Sequence, residues 1–197
     1  LNEKMTWFWH GHWATSVEKL NFALPMYKQN LTFRNNALGN FATMSKVMYD
    51  DGALQFWLDG QENTAKAPNE NLSREFMELF TLGVGRYSED DVKALARVFT
   101  GIQVQRTNGV VTFNPRRHDS SAVTLLGRTQ VFTEDQAIDL LVARDDSSRF
   151  IYERLWYRFI SSTEPMPATF AAKKALAGRD IAAAVAAMAS DPAMRDT

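Results

Sequence analysis

The spacing of apolar residues changes abruptly at Gly101, and this change limits the folds open to the chain. Before Gly101 apolar residues recur at helical intervals, whereas residues 102–107 begin a run in which apolar and polar side chains alternate. Asn108-Gly109 separates this run from a second one, and an Asn-Gly pair in that position is the strongest local signal for a β-hairpin. We therefore predict a mainly α, multi-helical domain with one small inserted antiparallel β-hairpin at about residues 102–113.

Capping residues mark the boundaries of the predicted helices. Ser88 with Asp91 and Thr133 with Gln136 have the spacing of capping boxes, and Gly83 can end a helix in the left-handed conformation. On this basis we expect helices at residues 36–49, 51–58, 70–82, 89–100, 134–143, 148–161, 169–176 and 181–189.

The chain has 197 residues, the length of one ordinary domain, and it contains no internal repeat or low-complexity linker. We therefore treat residues 1–197 as a single helical domain. The chain opens with Leu1 and Asn2, which form neither an initiator methionine nor a secretory signal. This opening leads us to expect a fragment of a longer chain.

Charge and cysteine content exclude several classes of function. The 22 Lys and Arg residues balance 23 Asp and Glu residues, so the chain lacks the basic surplus of a general nucleic-acid binder. The absence of cysteine excludes disulfides, thiolate metal sites and a cysteine nucleophile. No run approaches the roughly 20 apolar residues that span a bilayer, so we expect no transmembrane segment in this chain.

Two of the three histidines, His10 and His12, lie in the aromatic segment Trp7–Trp13. In an extended segment both imidazoles would face one side, as in several metal sites, whereas in a helix they diverge by about 200° and could not share a metal unaided. The aromatic neighbours would keep the rings neutral, the form that binds a metal or accepts a proton. The alternative is an aromatic core segment whose histidines bond to backbone carbonyls.

A polar cluster surrounds the start of the helix predicted at 70–82. Glu75 and Glu78 flank its apolar stripe with Arg74 beside them, and Asn69 and Glu70 lie where free N–H groups and the helix dipole favour anions. Partly buried carboxylates in this position could bind a metal or act as acid and base. The same residues could instead form a structural network of ion pairs.

His118 and Asp119 follow Arg116 and Arg117 in a predicted loop. A histidine followed by an aspartate can ligate a metal or orient a second imidazole, and the arginines could receive a phosphate or carboxylate group. Polar loops often carry such a combination, so it indicates a functional site only together with the other two segments.

In their order along the chain, these segments closely resemble a bacterial family called domain of unknown function 1800. The resemblance extends from about Lys4 to Ser161 and rests on seven ordered motifs. They are Phe-Trp-His-Gly-His-Trp at 8–13, Asn-Asn-Ala-Leu-Gly-Asn-Phe at 35–41, Pro-Asn-Glu-Asn-Leu-Ser-Arg-Glu-Phe-Met-Glu-Leu-Phe-Thr-Leu-Gly at 68–83, Tyr-Ser-Glu-Asp-Asp-Val at 87–92, Phe-Thr-Gly at 99–101, His-Asp at 118–119 and Leu-Gly at 126–127.

The resemblance implies a longer parent chain, export from the cytoplasm and another exported bacterial protein as a partner, but no particular reaction. It also implies a set of signature positions: His10, His12, Asn69, Glu70, Arg74, Glu75, Glu78, His118 and Asp119. The chain departs from the family after Asp119, because residues 120–123 read Ser-Ser-Ala-Val where a glycine and a lysine are usual. If that lysine contacts a ligand, the departure alters the activity.

Residues and resemblance together lead to one hypothesis, a metal-assisted hydrolase in an exported bacterial domain of periplasmic or extracellular location. Without cysteine, a cluster of histidines and carboxylates is the only metal site that this sequence could build. The hypothesis assigns a divalent metal to His10, His12 and His118, the chemistry to Glu75, Glu78 and Arg74, and substrate binding to Asn69, Glu70 and Asp119.

The alternative is a non-catalytic interaction domain. In that case the signature residues form an ion network that fixes the fold, and the aromatic helix at 148–161 meets a partner protein together with the basic loop.

Overall fold

A computed structural model describes residues 1–167 and 179–191 of the chain. The described parts are mainly α, as predicted, with two small antiparallel sheets. Their α-helices are α1 (Asn2–His12), α2 (Val17–Leu20), α3 (Ala23–Asn36), α4 (Phe41–Tyr49), α5 (Gly52–Trp57), α6 (Asn71–Glu75), α7 (Glu89–Val98), α8 (Glu134–Val142), α9 (Asp145–Phe159) and α10 (Ile181–Ala189). Across these two ranges, every helix is too short or too polar to cross a bilayer.

The helix expected at 36–49 is shorter than predicted. It begins as α4 at Phe41 because Asn40 has extended backbone dihedrals and its side chain accepts hydrogen bonds from the amides of Ala42 and Thr43. The preceding residues belong to the end of α3 and a turn. The Gly39 carbonyl in that turn accepts a hydrogen bond from the Ile181 amide, which attaches α10 to the start of α4.

The segment predicted as one helix at 70–82 contains two kinds of helix. After α6 the chain widens into a π-helix, Phe76–Thr81, in which the Leu82 amide donates to the Met77 carbonyl over five residues. The Thr81 hydroxyl also donates to the Phe76 carbonyl, at 2.6 Å. Gly83 ends the segment at φ 88°, as its position predicts.

The predicted hairpin is confirmed as β1 (Ile102–Gln105) paired with β2 (Val110–Phe113), in a register that places Ile102 opposite Phe113. The prediction of one hairpin was incomplete, because β3 (Val123–Leu125) and β4 (Arg128–Gln130) form a second antiparallel pair. The turn of this second hairpin places Leu126 at φ 48°, a conformation that leucine rarely adopts. Sequence patterns therefore gave no signal for it.

The helices surround a core of aromatic and aliphatic side chains to which most elements of the described fold contribute. Trp9 and Trp13 of α1 are fully buried, and the Trp13 ring lies 4.6 Å from that of Phe80 in the π-helix. The Phe8 ring packs against that of Phe159 at 5.8 Å, which brings α1 and α9 side by side. The helix expected at 169–176 lies outside the described residues.

Candidate functional site

The two histidines of α1 are not placed to share a metal ion, because the segment is helical and residues two apart diverge by about 200°. His12 is buried, with 4% of its surface exposed, whereas His10 is half-buried and packs 5.9 Å from the Phe33 ring. His12 Nε2 lies 2.9 Å from the Phe80 carbonyl oxygen. Because a carbonyl only accepts, Nε2 carries the proton and bonds to a carbonyl near the end of the π-helix.

The surroundings of His12 keep its ring uncharged. Burial among aromatic side chains lowers its pKa from 6.5 to about 3. The hydrogen bond to the Phe80 carbonyl opposes this shift, and the positive charge of Arg154 adds a smaller contribution that lowers the pKa. Its other nitrogen, Nδ1, is buried and has no hydrogen-bond partner within residues 1–167 and 179–191. His12 therefore matches the alternative of a core histidine bonded to a backbone carbonyl.

His118 and Asp119 are held by a network of their own around α7. His118 Nδ1 donates to the Thr100 carbonyl at 2.9 Å, and the Asp119 carboxylate accepts from Arg97 Nε at 2.7 Å. The bond to Arg97 lowers the pKa of Asp119 to about 2, assisted by bonds from Ser121. Asp119 is thus occupied by the protein itself.

Arg74 pairs with carboxylates on two helices. Its guanidinium bonds to both oxygens of Glu89 at 2.7 and 2.8 Å and to Glu70 at 3.0 Å. Asn69 has a local role, because its side chain accepts from the Asn71 amide at the start of α6. These contacts agree with the structural network that the sequence left open as an alternative.

The carboxylates of Glu75 and Glu78 have different surroundings. The Tyr87 hydroxyl donates to Glu78 at 2.5 Å, whereas the part of the chain that the structure describes offers Glu75 no hydrogen bond or ion pair. Partial burial raises the pKa of Glu75, and the nearby charge of Glu78 raises it further. Glu75 lines a cleft together with His12 and Arg154.

The proposed metal ligands are not assembled. Within residues 1–167 and 179–191, no three His, Asp or Glu side chains lie close enough together to hold a metal ion. His12 is buried, His10 is half-buried on another side of α1, and His118 lies in the loop after the first hairpin, where it lines a different cleft. The assignment of His10, His12 and His118 to one metal thus lacks the geometry that it requires.

A groove runs between α1 and α9 and brings His10 and His12 close to arginines of α9 that the sequence motifs did not indicate. It consists of two adjoining clefts, of about 310 and 440 Å³, that share Gly11, His12 and Arg154. We call this the α1–α9 groove. Glu75 and Trp57 line its larger cleft only, and its smaller cleft is also lined by Trp7, Phe8, His10, Tyr157 and Arg158.

The smaller cleft combines exposed aromatic rings with positive charge. Trp7 and Tyr157 are 66% and 64% exposed, and the Arg158 guanidinium lies 3.8 Å from the centre of the Trp7 ring. Arg154 is one helical turn away on the same face of α9. Neither arginine pairs with a carboxylate anywhere in residues 1–167 and 179–191. The cleft therefore offers two guanidinium groups that are free to bind an anion.

The sequence contained partial signals for this groove. Trp7 and His10 lie three residues apart in the segment Trp7–Trp13, and Arg154 and Arg158 lie four apart on an aromatic helix. Each pair is on one face of its own helix, which periodicity can predict. The approach of α1 to α9 depends on tertiary contacts such as that between Phe8 and Phe159.

A family model described as "Protein of unknown function (DUF1800)" matches residues 1–197, which is the whole chain. The protein therefore belongs to this family, as the ordered motifs predicted. Neither a curated protein nor a solved structure matches the chain.

Proposed function

We propose that the protein is a non-catalytic interaction domain and that the α1–α9 groove binds an acidic segment of a partner protein. The observation that carries the proposal is the pair of unpaired arginines, Arg154 and Arg158, beside two exposed aromatic rings. Tryptophan, tyrosine and arginine are the residues most enriched at the energetic centres of protein interfaces.

Charge complementarity selects the occupant of the groove. Arg154 and Arg158 repel each other because they lie four residues apart on one helix, and a bound carboxylate would relieve that repulsion. The Arg158 guanidinium lies over the Trp7 ring, and a guanidinium in this position can still donate hydrogen bonds to a carboxylate. A segment with carboxylates and an apolar side chain fits this cleft, and Glu75 at the far end disfavours an acid there.

The competing hypothesis of a metal-assisted hydrolase has less support. Its metal ligands are dispersed among the described residues, and Arg74, Glu70 and Asp119 are engaged in ion pairs. The family resemblance supports a further part of the proposal, in which both the domain and its partner act outside the cytoplasm. A metal-dependent activity that is abolished by substituting His10 and His118 would favour the hydrolase instead.

The test is a binding titration that uses a short fluorescein-labelled peptide in which glutamate alternates with leucine. We expect the anisotropy to rise with the wild-type protein and to stay low with a peptide in which lysine replaces glutamate. Arg154→Glu should weaken binding at least about tenfold. The reason is that the loss of one charge-assisted hydrogen bond raises the dissociation constant by at least about that factor. Arg128→Glu changes an exposed arginine outside the groove and serves as the matched control.

Gly11 provides a variant that blocks the groove without disturbing the core. A Cβ at Gly11 meets no heavy atom within 4 Å, so a leucine there would extend into the groove. Gly11→Leu should abolish peptide binding while it preserves or raises stability, because leucine favours a helix by about 1 kcal/mol over glycine. Equal binding by wild type, Gly11→Leu and Arg154→Glu would refute the proposal.

A further inference from the structure

A second cleft, of about 710 Å³, lies on a different face and shares no residue with the α1–α9 groove. It opens between the end of α4, the first hairpin and the start of α8. Three carboxylates line it, from Asp50, Glu134 and Asp135, together with His118 and Tyr49. We call this the α4–α8 cleft.

The carboxylates of this cleft have little compensating charge. Lys46 lies 3.6 Å from Asp135 but bonds more closely to Asp139, at 2.8 Å. Asp50 and Glu134 form no ion pair within the two described ranges. Partial burial raises the pKa of Asp50, and the charges of Asp135 and Glu134 raise it further.

The end of α4 adds to the negative potential. Asp50 follows the last residue of α4, where the unsatisfied carbonyls and the helix dipole favour a cation. Glu134 and Asp135 lie in the first turn of α8, a position that stabilises acidic residues even without a ligand. The acidic residues alone therefore do not identify a binding site.

Tyr49 supplies the independent observation. Its side chain is buried, with only 4% of the residue exposed, and it lines the cleft. Its hydroxyl has no hydrogen-bond partner among the described residues. A buried hydroxyl without a partner costs stability, so an orphan at the wall of a cleft indicates that a ligand completes it. Burial raises the pKa of Tyr49, as do the charges of Glu134 and Asp50, so the hydroxyl stays protonated.

His118 and the exposed apolar residues of the cleft indicate the other chemical groups that a ligand would carry. Because His118 Nδ1 donates to the Thr100 carbonyl, Nε2 is the ring nitrogen that remains for a ligand. Phe113 and Val131 are 49% and 59% exposed in the same cleft. The lining thus offers acceptors and negative charge at one place and apolar surface beside it.

We propose that the α4–α8 cleft binds an alkylammonium group, with the ammonium among Glu134, Asp50 and Tyr49 and the alkyl chain on Phe113 and Val131. An ammonium donates three hydrogen bonds and carries the charge that these carboxylates lack. A diffusible amine and a lysine side chain of another protein both provide this chemistry.

The test uses isothermal titration calorimetry with cadaverine and with Nα-acetyl-lysine amide. Binding of cadaverine alone identifies a diffusible amine, and binding of the lysine amide identifies a lysine side chain; either result supports the site. Pentanol lacks the charge, and calcium chloride provides charge without an alkyl chain. If neither amine binds, or if calcium binds and the amines do not, the proposal is overturned.

Variants distinguish this site from general attraction to acidic residues. Glu134→Gln should weaken amine binding about tenfold, because one charge-assisted bond is lost. Asp145→Asn removes a carboxylate from the first turn of α9, outside the cleft, and should leave binding unchanged. Tyr49→Phe should weaken binding while it raises the melting temperature of the free protein. Wild-type affinity in both Glu134→Gln and Tyr49→Phe would overturn the proposal.

Discussion

Two buried groups, His12 and Asp51, should make the free energy of unfolding respond to acid in opposite directions. Burial lowers the pKa of His12 from 6.5 to about 3, and burial raises the pKa of Asp51 from 3.8 to about 6. At a pH between its two pKa values, His12 is protonated in the unfolded chain and neutral in the folded chain. Between its own two pKa values, Asp51 is protonated in the folded chain and charged in the unfolded chain. Acid therefore destabilises the fold through His12 and stabilises it through Asp51.

The two effects are large enough to measure at about pH 5. Relative to about pH 8, His12 should lower the free energy of unfolding by about 2 kcal/mol, and Asp51 should raise it by about 1.4 kcal/mol. Their sum is a loss of only about 0.6 kcal/mol, so the free energy of unfolding of the wild type should reveal neither contribution. The remaining titrating groups are common to all variants and cancel when the variants are compared.

Asp51→Asn exposes the contribution of His12. Asp51 Oδ1 accepts from the Gln29 side chain at 2.7 Å and from the Leu54 amide at 2.8 Å, and an asparagine oxygen can keep both bonds. This variant should therefore lose about 2 kcal/mol between pH 8 and 5, roughly three times the loss of the wild type. His12→Gln keeps an N–H for the Phe80 carbonyl and should instead gain about 1.4 kcal/mol.

The assay is urea denaturation followed by tryptophan fluorescence at both pH values. The comparison is made within each variant, so a change in overall stability does not affect it. Equal pH responses of wild type and Asp51→Asn would refute the reasoning for Asp51. A pH response of His12→Gln equal to that of the wild type would do the same for His12.

Three further substitutions test the packing and the ion pairs by thermal or chemical denaturation. Arg74→Ala should cost about 1 kcal/mol or less, because its pairs with Glu70 and Glu89 are at least a third exposed; a loss of several kcal/mol would contradict this exposure. Tyr49→Phe should stabilise the protein by about 1 kcal/mol because it removes an unpartnered buried hydroxyl, and a loss of stability would show that the hydroxyl has a partner. Gly52→Ala should cost about 2 kcal/mol because the new Cβ would collide with the Gly109 carbonyl; an unchanged melting temperature would contradict that contact.

Local signals in the sequence predicted much of the fold. The capping boxes at Ser88 and Thr133 are present with both of their hydrogen bonds, and Asn108-Gly109 makes up the second half of the four-residue turn of the first hairpin. These features depend on residues a few positions apart. The π-helix at Phe76–Thr81 was missed because it shifts backbone hydrogen bonds by one residue and leaves the apolar pattern unchanged.

The site was harder to predict because it depends on contacts between distant segments. The sequence identified His12 and Glu75, which both line the α1–α9 groove, but it joined His12 to His118 in a metal site that the described structure does not assemble. Arg154 was missed because an arginine on an amphipathic helix is ordinarily a solvated residue. Its value as a site residue follows from the approach of α9 to Gly11, which no local pattern encodes.

The most direct test of the proposed function is a map of where the acidic peptide binds. Nuclear magnetic resonance spectra of the nitrogen-15-labelled protein would follow the indole N–H of Trp7 and the guanidinium N–H groups of Arg154 and Arg158 during a titration. The account predicts that these signals and the Gly11 amide shift first and saturate together. Shifts confined to residues outside the α1–α9 groove, or none at all, would contradict it.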